Sequence, residues 1–251
     1  ACAGDTAGAA EQAPRPRSIE FSGVTTSAPG GAALMKGLSF VVNEGEPLIV
    51  TGQNASGKSS FGRVAMGLWE VGAGQVRVCG LPVSPAARPP TSDLFVVPQR
   101  PYLCHGATLA AQLTYPTDAE IDKATLSELL GQCDIGYLLE RYDAYAETRP
   151  WQDLLSGGEQ QRLGIARCLF HGPRFAILDD CTSMVSQEAE ARLYRTISER
   201  GVTMVAMSQR LTLPELFPRA LALGLGTESG WAMRGQAPAP GAAPVAAGDP
   251  A

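Results

Sequence analysis

Short apolar runs, glycine-marked turns and longer stretches of helical periodicity alternate along the chain. Ser18–Val24 and Leu38–Val42 read as β-strands, and Pro47–Thr51 reads as a strand that feeds a glycine-rich turn. Beyond the turn, Ser59–Leu68 is compatible with a helix. Phe61, Val64, Ala65 and Leu68 fall at i, i+3, i+4 and i+7 on one face, and the Gly72–Gly74 region ends the segment. Asp93–Pro98 is a further short apolar strand. Asp118–Tyr145 reads as mainly helical, with Leu126, Leu129, Leu130, Leu138 and Leu139 as its apolar positions, so a helical insert follows. Phe175–Leu178 and Val202–Met207 are continuous apolar runs, the pattern of strands buried on both faces of a parallel sheet. The sum is an α/β domain with a helical lobe.

The two ends break this pattern. Residues 1–17 and 236–251 are rich in Ala, Pro and Gly and carry almost nothing large enough to bury, so both read as disordered tails around a folded part at 18–235. No internal repeat is evident.

Composition narrows the function classes. The chain has 251 residues, 45% hydrophobic and 18% charged, enough for one large domain or two small lobes. Net charge is -5, and only Lys36, Lys58 and Lys123 are lysines. Without a basic stripe, nucleic acid is not expected as a main partner. Cys2, Cys79, Cys104, Cys133, Cys168 and Cys181 form no C-x-x-C pair, and several lie in apolar runs as buried free thiols do, which fits a reducing compartment. No apolar run approaches the roughly 18 residues that cross a bilayer, and no signal segment opens the chain. The chain starts at Ala1 and reads as a piece of something longer.

Three motifs carry chemistry. Gly52-Gln53-Asn54-Ala55-Ser56-Gly57-Lys58-Ser59 fits G-x-x-x-x-G-K-[ST] between a strand and a helix, the setting of a phosphate-binding loop. Successive backbone N–H groups and the positive helix end surround phosphates, Lys58 reaches their outer oxygens, and the Ser59 hydroxyl is placed to ligate magnesium. Leu155-Ser156-Gly157-Gly158-Glu159 continues as Gln160-Gln161-Arg162 into a helix that ends at Gly172-Pro173, and its glycines leave a second set of N–H groups open to an anion. Phe175–Asp180 is an apolar strand ending in two carboxylates. Asp179 would hold magnesium through water and Asp180 would contact an attacking water, although alone such a pair also serves as a helix cap or turn.

In this order, over roughly Ile19–Met233, the motifs resemble the nucleotide-binding domain of ATP-binding cassette (ABC) transporters. The resemblance implies a P-loop NTPase core with a mainly parallel sheet, an N-terminal antiparallel β subdomain and a helical signature subdomain at about 104–170. It implies ATP and Mg2+ as ligands. Gln99, in Val97–Tyr102, matches the family's magnesium-sensing glutamine, so Ser59, Gln99 and Asp179 are the expected metal ligands. Residues 52–59, with Ser60, Gln99 and Asp179, would hold ATP in one chain. Ser156, Gly157, Gly158 and Gln160 would reach across a head-to-tail dimer, of identical or different chains, to the partner's ATP. A transmembrane domain, in the same or a partner chain, completes the implied assembly. Gly67-Leu68-Trp69, Pro98–Tyr102, Tyr115-Pro116, Trp151 and Cys181–Ser186 are similar to the branch that carries long-chain fatty acyl-CoA into peroxisomes, with this domain on the cytosolic face.

The chain also departs from that pattern. Asp180 replaces the usual Glu and is one methylene shorter; Gln209 stands where the family has its switch histidine and cannot become an imidazolium. Ala55 occupies a usual glycine position, costly if φ is positive there. The adenine-stacking aromatic should fall near Thr25–Pro29, which has none unless Phe21 substitutes. Together, with Asp180, Gln209 and Gln99 as the catalytic set, these predict MgATP binding with slow turnover. Rival readings are a non-transport ABC ATPase, which usually carries coiled-coil inserts or two cassettes, and a silent module that only dimerises on ATP.

Overall fold

In the computed structural model, residues 16–27, 33–208, 216–225 and 229–235 are described. Residues 1–15 of the expected tail at 1–17, and the whole of the expected tail at 236–251, lie outside them. Arg17 already joins the fold: it bonds Glu44 through its backbone oxygen and its guanidinium.

Two sheets organise the molecule. The smaller is antiparallel, in the order β2-β1-β4-β5, from β1 (Ser18–Ser27), β2 (Ala33–Asn43), β4 (Ala73–Val78) and β5 (Leu81–Val83). The larger runs β10-β9-β3-β8-β7-β6, from β3 (Leu48–Thr51), β6 (Leu94–Val97), β7 (Phe175–Asp179), β8 (Thr203–Met207), β9 (Arg219–Leu223) and β10 (Trp231–Arg234). Its pairs are parallel except for β10 on β9. Side chains alternate between two cores, as the two-residue strand period requires. Phe175, Ile177, Val205, Met207, Leu48 and Val50 join one core with Phe21, Phe40 and Phe61. Ala176, Leu178, Met204, Ala206 and Ile49 join the other, with the helical lobe. This burial of both faces is what the continuous apolar runs predicted.

The helix α1 (Lys58–Ala65) is shorter than its sequence pattern. Gly67 takes a left-handed φ of 68°, the Leu68 N–H reaches the Arg63 carbonyl at 2.8 Å and the Gly67 N–H reaches Val64 at 3.0 Å. These two bonds form a Schellman stop, seven residues before Gly74. Leu68 is therefore exposed while Phe61, Val64 and Ala65 are buried.

The expected helix across Asp118–Tyr145 is also divided. The lobe holds α2 (Leu109–Thr114), α3 (Lys123–Gln132), α4 (Leu138–Arg141) and α5 (Trp151–Leu154) before the long α6 (Gly157–His171). Asp122 starts α3 by accepting the N–H groups of Ala124 and Thr125 at 2.9 and 3.0 Å. Asp134, at a left-handed φ of 56°, separates α3 from α4. After β7, α7 (Gln187–Glu199) crosses back to the sheet.

Candidate functional site

The sheet order puts the C-terminal ends of β3, β8, β7 and β6 side by side, the edge where parallel sheets collect ligands. The phosphate-type loop leaves β3, Asp179 and Asp180 end β7, and Gln99 follows β6 by two residues. Gln209 follows β8 and lies outside the described residues.

The loop is a backbone cradle. Gly52 has a φ of 155°, and a Cβ there would come within 2.7 Å of the Leu223 carbonyl oxygen. Gly57, at φ 98°, caps α1, so the helix begins at Lys58. Ala55 does adopt a left-handed φ of 63°, the strained case foreseen from the sequence. Gln53, Asn54 and Ala55 are exposed, while Ser56 and Ser60 are buried. The Lys58 side chain, also buried, donates from Nζ to the carbonyls of Gly52 (2.7 Å) and Gln53 (2.9 Å). Its ammonium is thus folded back over the concave side of the loop.

Ser59 Oγ stands 3.5 Å from Asp179 Oδ1. Burial, reinforced by the neighbouring Asp180 charge, raises the Asp179 carboxyl above the ordinary carboxylate range, against lowering by Ser59, Arg63 and Lys58. A half-buried carboxylate beside a hydroxyl is a pair of oxygen donors of the kind that suits Mg2+. Asp180 has a left-handed φ of 47°, and its N–H bonds the Met207 carbonyl at 3.0 Å, tying the end of β7 to β8. Asp tolerates this backbone region better than most residues with a Cβ.

The second glycine motif opens α6 about as the sequence indicated. Ser156 caps the helix through a full capping box with Glu159: its N–H and Oγ reach Glu159 Oε2 at 2.7 and 2.6 Å. Tyr137 donates to the other carboxylate oxygen at 2.7 Å. Burial pushes the Glu159 carboxyl up, but the bonds from Ser156 and Tyr137 outweigh it and hold it below its usual range. A Cβ at Gly157 would run into the Met184 sulfur, so a side chain there requires the half-exposed Met184 side chain to move. Gln160 turns back to the carbonyls of Leu155 and Gln152, holding the turn between α5 and α6. Gly172, in the left-handed conformation, closes the helix.

Two sequence expectations change here. Phe21 does not replace the missing adenine aromatic: it is 3% exposed and stacks on Phe40 at 4.7 Å and Phe61 at 5.0 Å inside the core. Gln161 carried no role in the sequence reading, yet it is 1% exposed and bonds Gln99, Asp180, Ser183 and Met184. Its only signal is position: it lies one helical turn beyond Gly157 on the same face. Cys79, Cys133, Cys168 and Cys181 are buried and form no disulfide among the described residues, and burial pushes the Cys168 thiol up to about 12.

A P-loop edge, a strand-terminal acid pair and a glycine-opened helix in one α/β domain define a nucleotide-binding cassette. The chain belongs to the ABC transporter family, whose profile matches residues 35–183. Among curated relatives it is 39% identical over 220 residues to "ABC transporter D family member 1" of Arabidopsis thaliana, covering 86% of this chain and 16% of that protein. It is 37% identical over 201 residues to "ATP-binding cassette sub-family D member 3" of Homo sapiens, covering 78% and 29%. The chain therefore spans less than a third of either relative. Among solved structures, a bacterial Atm1-family ABC exporter with ATP bound matches with a TM-score of 0.71 at 25% identity, over 83% of this chain and 37% of that one. Among the described residues no helix is long and apolar enough to cross a membrane.

Proposed function

We propose that residues 18–235 form one ATP-binding and hydrolysing domain, with its signature lobe at about 104–170, that powers an ABC transporter. The observation that carries this reading is the meeting of the Lys58 ammonium, the Ser59 hydroxyl and the Asp179 carboxylate at one sheet edge. In it, Lys58 would exchange its two loop carbonyls for phosphate oxygens, the loop amides would fix those oxygens, and Ser59, Asp179 and Gln99 would hold Mg2+, whose charge would screen the triphosphate. Asp180 orients the attacking water, and Gln209 completes the catalytic set expected from the sequence. The site is read as completed head to tail by the Ser156–Gly158 segment of a second domain, identical or not.

The likeness to sub-family D transporters supports a membrane partner domain; a place on the cytosolic face of the peroxisomal membrane and long-chain fatty acids or acyl-CoA as cargo are proposed from the sub-family resemblance of Gly67–Trp69, Pro98–Tyr102, Tyr115-Pro116, Trp151 and Cys181–Ser186. Lys58→Ala tests the centre of the reading: MgATP affinity, measured by calorimetry, should fall at least tenfold, and unchanged affinity would remove its chemical basis. Asp180 and Gln209 favour slow turnover. A positioned general base contributes about 10² to 10⁴ in rate, so an Asp180→Glu, Gln209→His double variant should hydrolyse MgATP at least tenfold faster than the parent. Absence of any gain would refute impairment at these positions. In membranes holding the full-length protein, long-chain acyl-CoA should stimulate hydrolysis; intact ATP binding without stimulation would overturn the cargo alone.

A further inference from the structure

The Gln161 side chain is the meeting point of segments that are far apart in sequence. Its Nε2 lies 3.0 Å from the Gln99 carbonyl, 3.4 Å from the Asp180 carbonyl and 3.0 Å from Ser183 Oγ. Its Oε1 accepts the Met184 N–H at 2.9 Å. At 1% exposure water cannot substitute for these partners, so one rotamer serves all four. A second contact joins the same pieces. The Met184 sulfur occupies the place of a side chain at Gly157, and a Cβ on Gly158 would stand 3.1 Å from the Met184 carbonyl oxygen. The turn after β7 is thus clamped to the first two turns of α6, once by a hydrogen-bonded amide and once by close packing.

From this geometry we infer that Gln161 is a positioning residue that couples the loops around a chain's own nucleotide to its signature helix, which faces the other nucleotide of the dimer. The inference rests on the ATPase reading above. Gln161 touches no reacting atom. It fixes the backbone of Gln99 and Asp180, so any shift of these two on nucleotide binding is passed to the start of α6, and a shift of α6 is passed back. Misplacing a reacting group by about 1 Å can cost up to about 10² in rate.

The test compares the parent chain with Gln161→Met, which keeps length and burial but removes all four bonds. Thermal unfolding and MgATP affinity are measured first. Hydrogen exchange is then followed with and without MgATP at residues 179–184 and 156–161, at dilutions where light scattering shows single domains, so that no partner's nucleotide touches residues 156–161. In the parent, MgATP should alter protection in both segments. In Gln161→Met the response at 179–184 should persist and that at 156–161 should disappear, with KM within about threefold and kcat down about tenfold or more. A Ser183→Ala variant, which removes one of the four bonds, should show the same split more weakly and serves if Gln161→Met does not fold. A preserved response at 156–161 in a folded variant overturns the inference even if turnover is too slow to measure. Failure of the parent to bind MgATP would instead overturn the ATPase reading.

Discussion

Ala55 offers a direct test of strain in the phosphate loop. Its φ of 63° puts a Cβ in the left-handed region, and the residue is exposed, so no packing contact offsets the strain. A left-handed conformation costs an L-residue roughly 1–2 kcal/mol. Replacing Ala55 by Gly removes that cost but returns roughly 0.4–1 kcal/mol of backbone freedom to the unfolded chain. The net expectation is a gain of about 1 kcal/mol. For a domain of this size, that corresponds to a rise in Tm of about 2–4 °C. Calorimetric or circular-dichroism unfolding of Ala55→Gly beside the parent measures it. Ala55→Val, whose branched Cβ fits the left-handed region worse, should shift Tm the other way. If the glycine variant melts at or below the parent temperature, the loop does not hold this strain in the folded chain and the reasoning fails.

Two further outcomes follow from the site. Asp179 has a raised pKa in the fold, so the folded chain binds a proton that the unfolded chain releases at about 3.9. Without Mg2+, its contribution to stability is present below that pH and is lost as pH rises through the raised value. Asp179→Asn should therefore raise Tm at neutral pH relative to the parent, converge with it in acid, and abolish Mg2+-dependent ATP binding; a pH-independent Tm difference would contradict the linkage. Ser156→Ala removes the capping hydroxyl of α6 and should cost about 1 kcal/mol by urea unfolding. A neutral result would show that the Glu159 carboxylate on the Ser156 N–H suffices.

The elements legible in the sequence were those whose signal is local. The Gly52–Ser59 loop needs particular φ values and a lysine at one offset, and α6 announces itself with Ser156, Glu159 and Gly172 within its own span. The runs that became β3, β7 and β8 are apolar except at Thr51, Asp179 and Thr203, because both their faces are covered. Strands β4, β5, β9 and β10 gave no such pattern, because several of their positions are exposed or half-exposed. Their identity comes from pairing with β1, β3 and each other.

Sequence by itself thus pointed to the residues suited to phosphate-type and carboxylate chemistry, since that depends on residue type and on spacing along one backbone. Tertiary structure alone decided which of them meet. Strand order brought Asp179 to Ser59, 120 positions away, and core packing withdrew Phe21 from any surface role. It also placed the buried Gln161 amide among Gln99, Asp180 and Met184. The physical reason is that a residue's period along a strand or helix names the face it occupies, whereas its neighbours across that face are set by how the elements stack.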